Sequence, residues 1–385
     1  MRLTVRMVLA AALLSSLALS ACSSKGKVRE PAKLVAVDKP TVSPRTLWTA
    51  RVGNGSDEFF TELAPNAQID AVYGADLKGR VYSFSTETGK TLWKVDTKAR
   101  IAAGPGVSGD LILVGTLEGE VIALKRTDGA EVWRAALSSE VLGTPVGEGN
   151  IVVARSVDGR VFGLSASDGS RQWTFDRTVP ELVLRGLSRP MIIGPTVVIG
   201  MENGRLVSLT LADGTPRWEQ AISVPSGRTV LDRLVDIDGD MVLGEQCLYV
   251  ASFGGEVACL EPAGGQVAWR RGVKSFNSLE EGGGKVFVSD ESSVIWGLDG
   301  RSGAAAWKQE SLLYRHTSPP AYFDGYVVVG DYEGYLHWMD PSDGRIVGRS
   351  RLGSDPITAK PVVSGDVLYV LNSAGRLAAI QLQKK

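Results

Sequence analysis

The stretch Gly119-Glu-Val-Ile-Ala-Leu-Lys-Arg-Thr-Asp-Gly-Ala-Glu-Val-Trp133 contains the pattern that decides the fold. Its first half alternates with the period of two that is typical of a strand. The Asp128-Gly129 pair then indicates a tight hairpin turn, because glycine reaches positive φ without a Cβ clash. The tryptophan fourteen residues after the first glycine lies in the returning strand. The stretch therefore predicts a β-hairpin.

The same unit recurs along almost the whole chain. A glycine and a tryptophan keep this spacing in four further copies: Gly79 to Trp93, Gly159 to Trp173, Gly204 to Trp218 and Gly255 to Trp269. Two more copies keep the spacing with one residue replaced, Ser293 to Trp307 and Gly334 to Gly348, and a truncated copy begins at Gly375. Upstream of each copy lie a second apolar run and a proline-marked segment, so each repeat holds four short strands. Eight such repeats of about 40 residues predict an all-β fold, a single eight-bladed propeller with four antiparallel strands per blade.

The two ends of the chain are expected to complete one blade together. The last repeat, residues 361 to 382, supplies three strands, and Thr46-Leu-Trp48-Thr49 is an isolated fourth-strand fragment. Pairing these pieces closes the ring and removes its open edge. Residues 45–385 are therefore predicted to form one propeller domain.

Seven tryptophans occupy the fourth-strand position of their repeats. They are Trp48, Trp93, Trp133, Trp173, Trp218, Trp269 and Trp307. Residues that recur around a ring are expected to pack one blade against the next, since the aromatic residues of a ligand-binding cage would converge on one site.

The N-terminus has the features of an export signal. Arg2 and Arg6 precede the apolar stretch Met7–Leu19, which is too short to span a bilayer, and small residues lead to Cys22. The pattern resembles a bacterial lipoprotein signal, with residues 1–21 removed and Cys22 lipidated. The alternative is an ordinary secretory signal. Residues 22–44 are predicted to be a flexible tether with a reach of about 25 Å.

Composition excludes several classes of function. The 385 residues carry a net charge of −1 and no long basic run, so nucleic acid is not an expected partner. Cys247 and Cys259 should lie on adjacent strands, where either a disulfide or two buried thiols can form. His316 and His337 are the two histidines. They are predicted to be turn or surface residues, with no metal site and no catalytic site.

Two junctions between repeats are longer than the others. The distance from the tryptophan to the next repeat glycine is 26 residues after Trp93 and after Trp133, but 31 after Trp173 and 37 after Trp218. Proline spacing places the extra residues before the first strand of a blade. Because strand direction alternates, both insertions are expected on the same face, beside one another.

The inserted segments combine leucine with charge. The first contains Leu182, Leu184 and Arg185, and the second contains Asp236 and Asp238. Apolar anchors with a charged rim are typical of a protein-docking surface. The alternative is that the leucines cap their own blade while Arg185 pairs internally with one of the two aspartates.

At these residues the chain resembles the BamB family, the lipoprotein propeller subunits of the outer-membrane β-barrel assembly machinery. The resemblance rests on four features: the lipoprotein signal that ends at Cys22, the repeats, the two loops and the segment Gly330-Asp-Tyr-Glu-Gly-Tyr-Leu-His-Trp338. It implies a non-enzymatic scaffold without cofactors, lipid-anchored on the periplasmic face of the outer membrane. It also implies that the five residues of the two loops bind the periplasmic POTRA domains of BamA, and that unfolded outer-membrane proteins are a further partner.

Two other functions fit an eight-bladed propeller of this kind. Quinoprotein alcohol dehydrogenases have similar repeats, but they need a vicinal cysteine pair beside the quinone, and this chain has none. A propeller that binds cell-wall polysaccharide is the other alternative.

Overall fold

The computed structural model describes residues 29–56, 63–177, 188–225, 228–229, 233–275 and 277–383. In these residues, 32 strands form eight antiparallel sheets of four strands each. The propeller lies in the compact unit Ala32–Lys385. None of the described segments forms a helix long and apolar enough to span a bilayer. The predicted all-β, eight-bladed architecture is confirmed.

The strands follow chain order within the blades. The first strand is β1 (Pro44–Arg51), and blades 1 and 2 are β2 (Asn66–Ala67), β3 (Ala71–Ala75), β4 (Arg80–Ser85), β5 (Thr91–Asp96) and β6 (Ile101–Ser108), β7 (Leu111–Thr116), β8 (Glu120–Lys125), β9 (Glu131–Ala136). Blades 3 and 4 are β10 (Val146–Glu148), β11 (Ile151–Arg155), β12 (Val161–Ser165), β13 (Arg171–Phe175) and β14 (Met191–Ile193), β15 (Thr196–Gly200), β16 (Arg205–Thr210), β17 (Pro216–Ala221). Blades 5 and 6 are β18 (Val242–Leu243), β19 (Leu248–Ser252), β20 (Glu256–Leu260), β21 (Val267–Gly272) and β22 (Glu280–Gly282), β23 (Lys285–Ser289), β24 (Ile295–Asp299), β25 (Ala305–Gln309). Blade 7 is β26 (Ala321–Phe323), β27 (Tyr326–Gly330), β28 (Tyr335–Met339), β29 (Ile346–Arg351), and blade 8 adds β30 (Val362–Ser364), β31 (Val367–Leu371), β32 (Arg376–Leu382) to β1.

The first strands of neighbouring blades meet around the central axis. Strand β2 contacts β6 on one side and β30 on the other, so blade 1 touches both blade 2 and blade 8. Because strands alternate in direction, the ring has two different faces. The face that we call the loop face carries the connections from the second to the third strand of each blade and the junctions from each blade to the next. The opposite face, which we call the turn face, carries the turns that join the first strand to the second and the third strand to the fourth.

Each fourth-strand indole packs on the Asp-Gly-type turn of the following blade. Trp133 donates from Nε1 to the Ala166 carbonyl at 2.8 Å. A Cβ added to Gly169 would lie 2.6 Å from Trp133 Cε3, so only glycine allows the ring this close. The other pairs are Trp48 with Gly89, Trp93 with Gly129, Trp173 with Gly214, Trp218 with Gly265, Trp269 with Gly303 and Trp307 with Gly344. The predicted role of the tryptophans in blade-to-blade packing is confirmed.

The missing eighth indole has a structural reason. Blade 8 pairs β32 with β1, with Trp48 opposite Ala379, so its third and fourth strands come from opposite ends of the chain. No turn joins them, and an indole at position 348 would have no turn glycine to cover. Gly348 leaves that space to Val42, whose Cγ2 would overlap with any added Cβ.

Residues 32–43, which we call the N-terminal strap, lie along blade 7. The Ala32 amide donates to the Leu313 carbonyl at 2.8 Å, and the Thr41 amide donates to the Val347 carbonyl at 2.9 Å. Val42 is buried in the core between blades 7 and 8. The structure differs here from the prediction of a flexible tether up to residue 44, because apolar strap residues fill the space that Gly348 leaves open.

A buried charge cluster in blade 7 holds the strap. The Arg315 Nη1 donates to the Ala32 carbonyl at 2.9 Å, and the Arg349 Nη1 donates to the Val35 carbonyl at 3.0 Å. Arg315 Nε also donates to the Asp331 carboxylate at 2.8 Å. Strap and blade are thereby joined by charge-assisted hydrogen bonds.

His337 is the centre of this cluster and is fully buried, so the prediction that it is a turn or surface residue is wrong. Its Nε2 lies 2.9 Å from Asp331 Oδ2, and Arg349 Nε donates to its Nδ1 at 3.2 Å. Since an arginine nitrogen can only donate, Nδ1 accepts and the neutral ring carries its proton on Nε2. Burial lowers the pKa of His337, with Asp331 opposing the shift and both arginines adding to it.

Cys247 and Cys259 form a disulfide within blade 5. Their Cα atoms lie 5.3 Å apart, and both side chains are buried in the core between blades 5 and 6. Cys247 directly precedes β19 and Cys259 lies in β20. The disulfide therefore joins two strands that already pair with each other.

We expect Gly169→Ala to destabilise the propeller far more than Gly149→Ala. Both glycines have positive φ, but nothing lies within 4 Å of a Cβ at Gly149. Gly149→Ala should therefore cost only about 1 kcal/mol for the left-handed backbone. Gly169→Ala must also displace the Trp133 ring, at a total cost of about 3 kcal/mol. Urea unfolding of both variants measures the difference, and equal midpoints would contradict the indole–glycine contact.

We expect acid to destabilise the protein in part through His337. Its pKa is lowered in the folded state, so the unfolded chain binds the proton first as pH falls below about 6.5, and folding stability decreases. The variant His337→Gln cannot titrate. Its melting temperature should fall less between pH 7.5 and pH 5 than that of the wild type. Melting temperatures that fall equally in both proteins would contradict a contribution of His337.

Candidate partner-docking site

Both long junctions belong to the loop face. The first joins β13 to β14, and its residues 178–187 lie outside the described residues, together with Leu182, Leu184 and Arg185. The second joins β17 to β18 and is described at residues 222–225, 228–229 and from Arg233 onward. Cys22 also lies outside the described residues.

Asp240 brings the two junctions together. Its Oδ1 accepts a hydrogen bond from the Arg189 amide at 2.8 Å, and its Oδ2 lies 3.7 Å from Arg189 Nε. The Asp240 amide in turn donates to Ser278 Oγ at 2.8 Å, in the next junction along the ring. The second junction is therefore held between its two neighbours on the loop face. Sequence reasoning did not single out Asp240, although it ends the same run of alternating aspartates.

The described part of the second junction is packed into the propeller. Leu234, Val235 and Ile237 are buried, and a Cβ added to Gly200 would lie about where the Ile237 side chain packs. Ile237 packs in the core between blades 4 and 5, and only part of the described loop reaches the surface.

The two predicted aspartates differ in their positions. Asp236 is 1% exposed, and its carbonyl accepts a hydrogen bond from the Phe253 amide at 2.9 Å. This burial differs from the expectation of an exposed docking carboxylate. Asp236 is instead one of the residues that hold the loop on the propeller. Asp238 is half-buried and reaches the surface.

A buried ion pair lies beneath the first junction. Arg155, at the end of β11, pairs with Glu202 and donates from Nη1 to the Gly200 carbonyl, and both charged side chains are at most 4% exposed. Ser188, the first described residue after the inserted segment, is buried against Gly200. Since desolvated charges cost free energy unless they are paired, the pair restrains the two blades that carry the junction.

The described residues contain no group of three His, Cys, Asp or Glu side chains that could hold a metal ion. The charged residues at this site instead make hydrogen bonds and ion pairs that join loops to one another. In the described residues, Asp240 joins the junction that precedes blade 5 to those that precede blades 4 and 6.

Comparison with known proteins decides the family. The model of the family described as outer membrane protein assembly factor BamB matches residues 77–309 and 298–384. The chain is also 46% identical to the outer membrane protein assembly factor BamB of Pseudomonas aeruginosa, over 97% of this chain and 98% of that protein. The chain belongs to the BamB family.

Solved structures agree with the BamB assignment. The crystal structure of BamB from Moraxella catarrhalis has a TM-score of 0.81 at 25% identity, covering 88% of this chain and all of that one. The quinohemoprotein alcohol dehydrogenase ADHIIG of Pseudomonas putida has a TM-score of 0.71 at 13% identity, covering 92% of this chain and 78% of that one. At that identity the dehydrogenase shares the fold alone.

We expect Arg155→Met to destabilise the protein by about 3–5 kcal/mol, because it leaves the Glu202 carboxylate buried without its partner. The double variant Arg155→Met with Glu202→Leu should recover most of this loss. Arg100→Met, which breaks the exposed pair with Glu118, is the control and should cost less than about 1 kcal/mol. Denaturant unfolding of the four proteins tests this. An Arg155→Met variant as stable as the control would contradict it.

Proposed function

We propose that this protein is a non-enzymatic scaffold of the outer-membrane β-barrel assembly machinery and docks through its loop face to the periplasmic POTRA domains of BamA. The observation that supports the proposal is the Arg189–Asp240 contact, which joins the described ends of the two long junctions. Membership of a family of outer membrane protein assembly factors supports the biological role.

Each loop residue has a proposed part in docking. Leu182 and Leu184 act as apolar anchors, and Arg185 binds a carboxylate of the partner in a bidentate manner. Asp238 contributes charge at the rim. Asp236, being buried, positions the second junction through its backbone contact with blade 5.

The rigid ring suits a scaffold. Seven indole–turn contacts and the strap fix the blades, so the loop face keeps its shape when a partner binds, and little ordering entropy is lost. The outer strands leave unpaired edges to which unfolded barrel precursors can add a strand, which is how we propose that the protein assists their folding and insertion.

We propose further that Cys22 is lipidated and that it anchors the protein to the periplasmic face of the outer membrane. Several acyl chains bind a membrane far more firmly than one. Mass spectrometry of the N-terminal peptide tests this, and an unmodified Cys22 in protein from outer-membrane fractions would contradict it.

The docking proposal is tested by a pull-down between the protein lacking residues 1–22 and the purified POTRA region of BamA. Arg185→Glu should abolish capture while the melting temperature stays nearly unchanged, since Arg185 is proposed to contact the partner and not the propeller. The control is Arg301→Glu, the same charge reversal at an exposed turn of the opposite face.

Arg301→Glu should bind like the wild type. Unchanged capture by Arg185→Glu would contradict the docking proposal. A large loss of stability in that variant would instead favour internal pairing of Arg185 with Asp236 or Asp238.

A further inference from the structure

An aromatic side chain lies on the loop face directly beside the second junction. Phe253 belongs to the connection between β19 and β20 and is half-exposed. Its amide donates to the Asp236 carbonyl at 2.9 Å, so the backbone that carries the ring is bonded directly to the loop. An aromatic residue that remains partly in water at the edge of a loop cluster has apolar area that a partner can cover.

A lysine lies over this ring. Lys274 Nζ is 5.0 Å from the centroid of Phe253, within the range of a cation–π contact. The same ammonium lies 3.7 Å from Glu291 Oε2, and the lysine and glutamate side chains are 46% and 41% exposed. At that distance and exposure the ion pair is weak, so the ammonium can turn toward a carboxylate of another molecule.

Lys274 and Phe253 are continuous with the second junction in two ways. Phe253 is bonded to it through Asp236, and Lys274 belongs to the connection from β21 to β22 on which the junction rests. A Cβ added to Gly239 would overlap with the Asn277 carbonyl of that connection, and Asp240 bonds to Ser278 in it. Loop, ring and ammonium therefore form one surface across blades 4 to 6.

We propose that Phe253 and Lys274 form a second contact region of the docking surface, which binds an apolar side chain of the partner beside one of its carboxylates. The phenyl ring takes the apolar side chain, and the ammonium bonds to the carboxylate at the rim. This inference rests on the proposed function, because it assigns the region to the same partner. Removal of water on docking strengthens both the cation–π contact and the new ion pair.

The test uses the full-length chain in detergent and the purified POTRA region of BamA, with affinity measured by interferometry. Phe253→Ala and Lys274→Glu should each weaken binding about tenfold or more, as expected when a buried contact of an interface is lost. The Lys274→Glu variant should also show a smaller decrease of affinity with added salt, because one charge contact is missing.

The matched control is Lys308→Glu. Lys308, on the outer fourth strand of blade 6, lies 3.8 Å from the centroid of Trp296 and forms the same kind of pair outside the three junctions to which the second contact region belongs. It should bind like the wild type. The melting temperature of each variant shows whether it is folded. If Phe253→Ala is unfolded, the affinity of Lys274→Glu tests the proposal, since that variant keeps the ring.

Arg185→Glu separates this inference from the docking proposal. If Arg185→Glu loses binding while Phe253→Ala and Lys274→Glu bind like the wild type, the second contact region is wrong and the docking proposal stands. If Lys308→Glu weakens binding as much as Lys274→Glu, the effect is one of net charge and the inference is also wrong. If the unaltered protein does not bind the POTRA region, both fail.

Discussion

The contact between an indole and the turn glycine of the next blade is the constraint on which the propeller depends. An indole buries a large apolar area, yet it can approach a backbone turn this closely only where no Cβ intervenes. The turn glycines have positive φ, and each lies against a ring of the preceding blade. One small residue thus serves both the turn and the blade-to-blade contact. Because blades 1 to 6 both give and receive such a contact, the stability of one blade depends on its neighbours, as in other repeat proteins.

The exception at blade 7 follows from the same constraint. Gly348 stands where an indole would have no turn to cover, because the last blade is made from both chain ends. The strap residue Val42 fills that space, and buried arginines tie the strap to blade 7. The ring is therefore completed by a segment that has no repeat pattern of its own. His337 lies beside these arginines, and its burial lowers its pKa.

A ring of this kind is suited to holding loops in a fixed arrangement. The proposed docking site includes parts of three successive junctions, linked by Asp240 to Arg189 on one side and to Ser278 on the other. In the described residues, polar contacts between these junctions and the apolar packing of Leu234, Val235 and Ile237 hold this part of the surface. The buried Arg155–Glu202 pair adds a restraint below the surface. A preformed surface loses less entropy on binding than a mobile one, which is an advantage for a scaffold that has no chemistry of its own.

The repeat spacing alone determined the number of blades, the strands in each and the partnership of the two chain ends, because periodicity and turn glycines are local properties of sequence. The lengths of the junctions also identified which of them differ. Only the tertiary structure decided which aspartate is buried, since Asp236 and Asp238 occur in the same alternating run, yet Asp236 is enclosed with Val235 and Ile237 while Asp238 is half-buried. It likewise decided that His337 is enclosed beside Asp331 and Arg349, and that residues 32–43 are attached, because the strap bonds to segments some 300 residues away. Contacts of that separation leave no periodic signal in a single sequence.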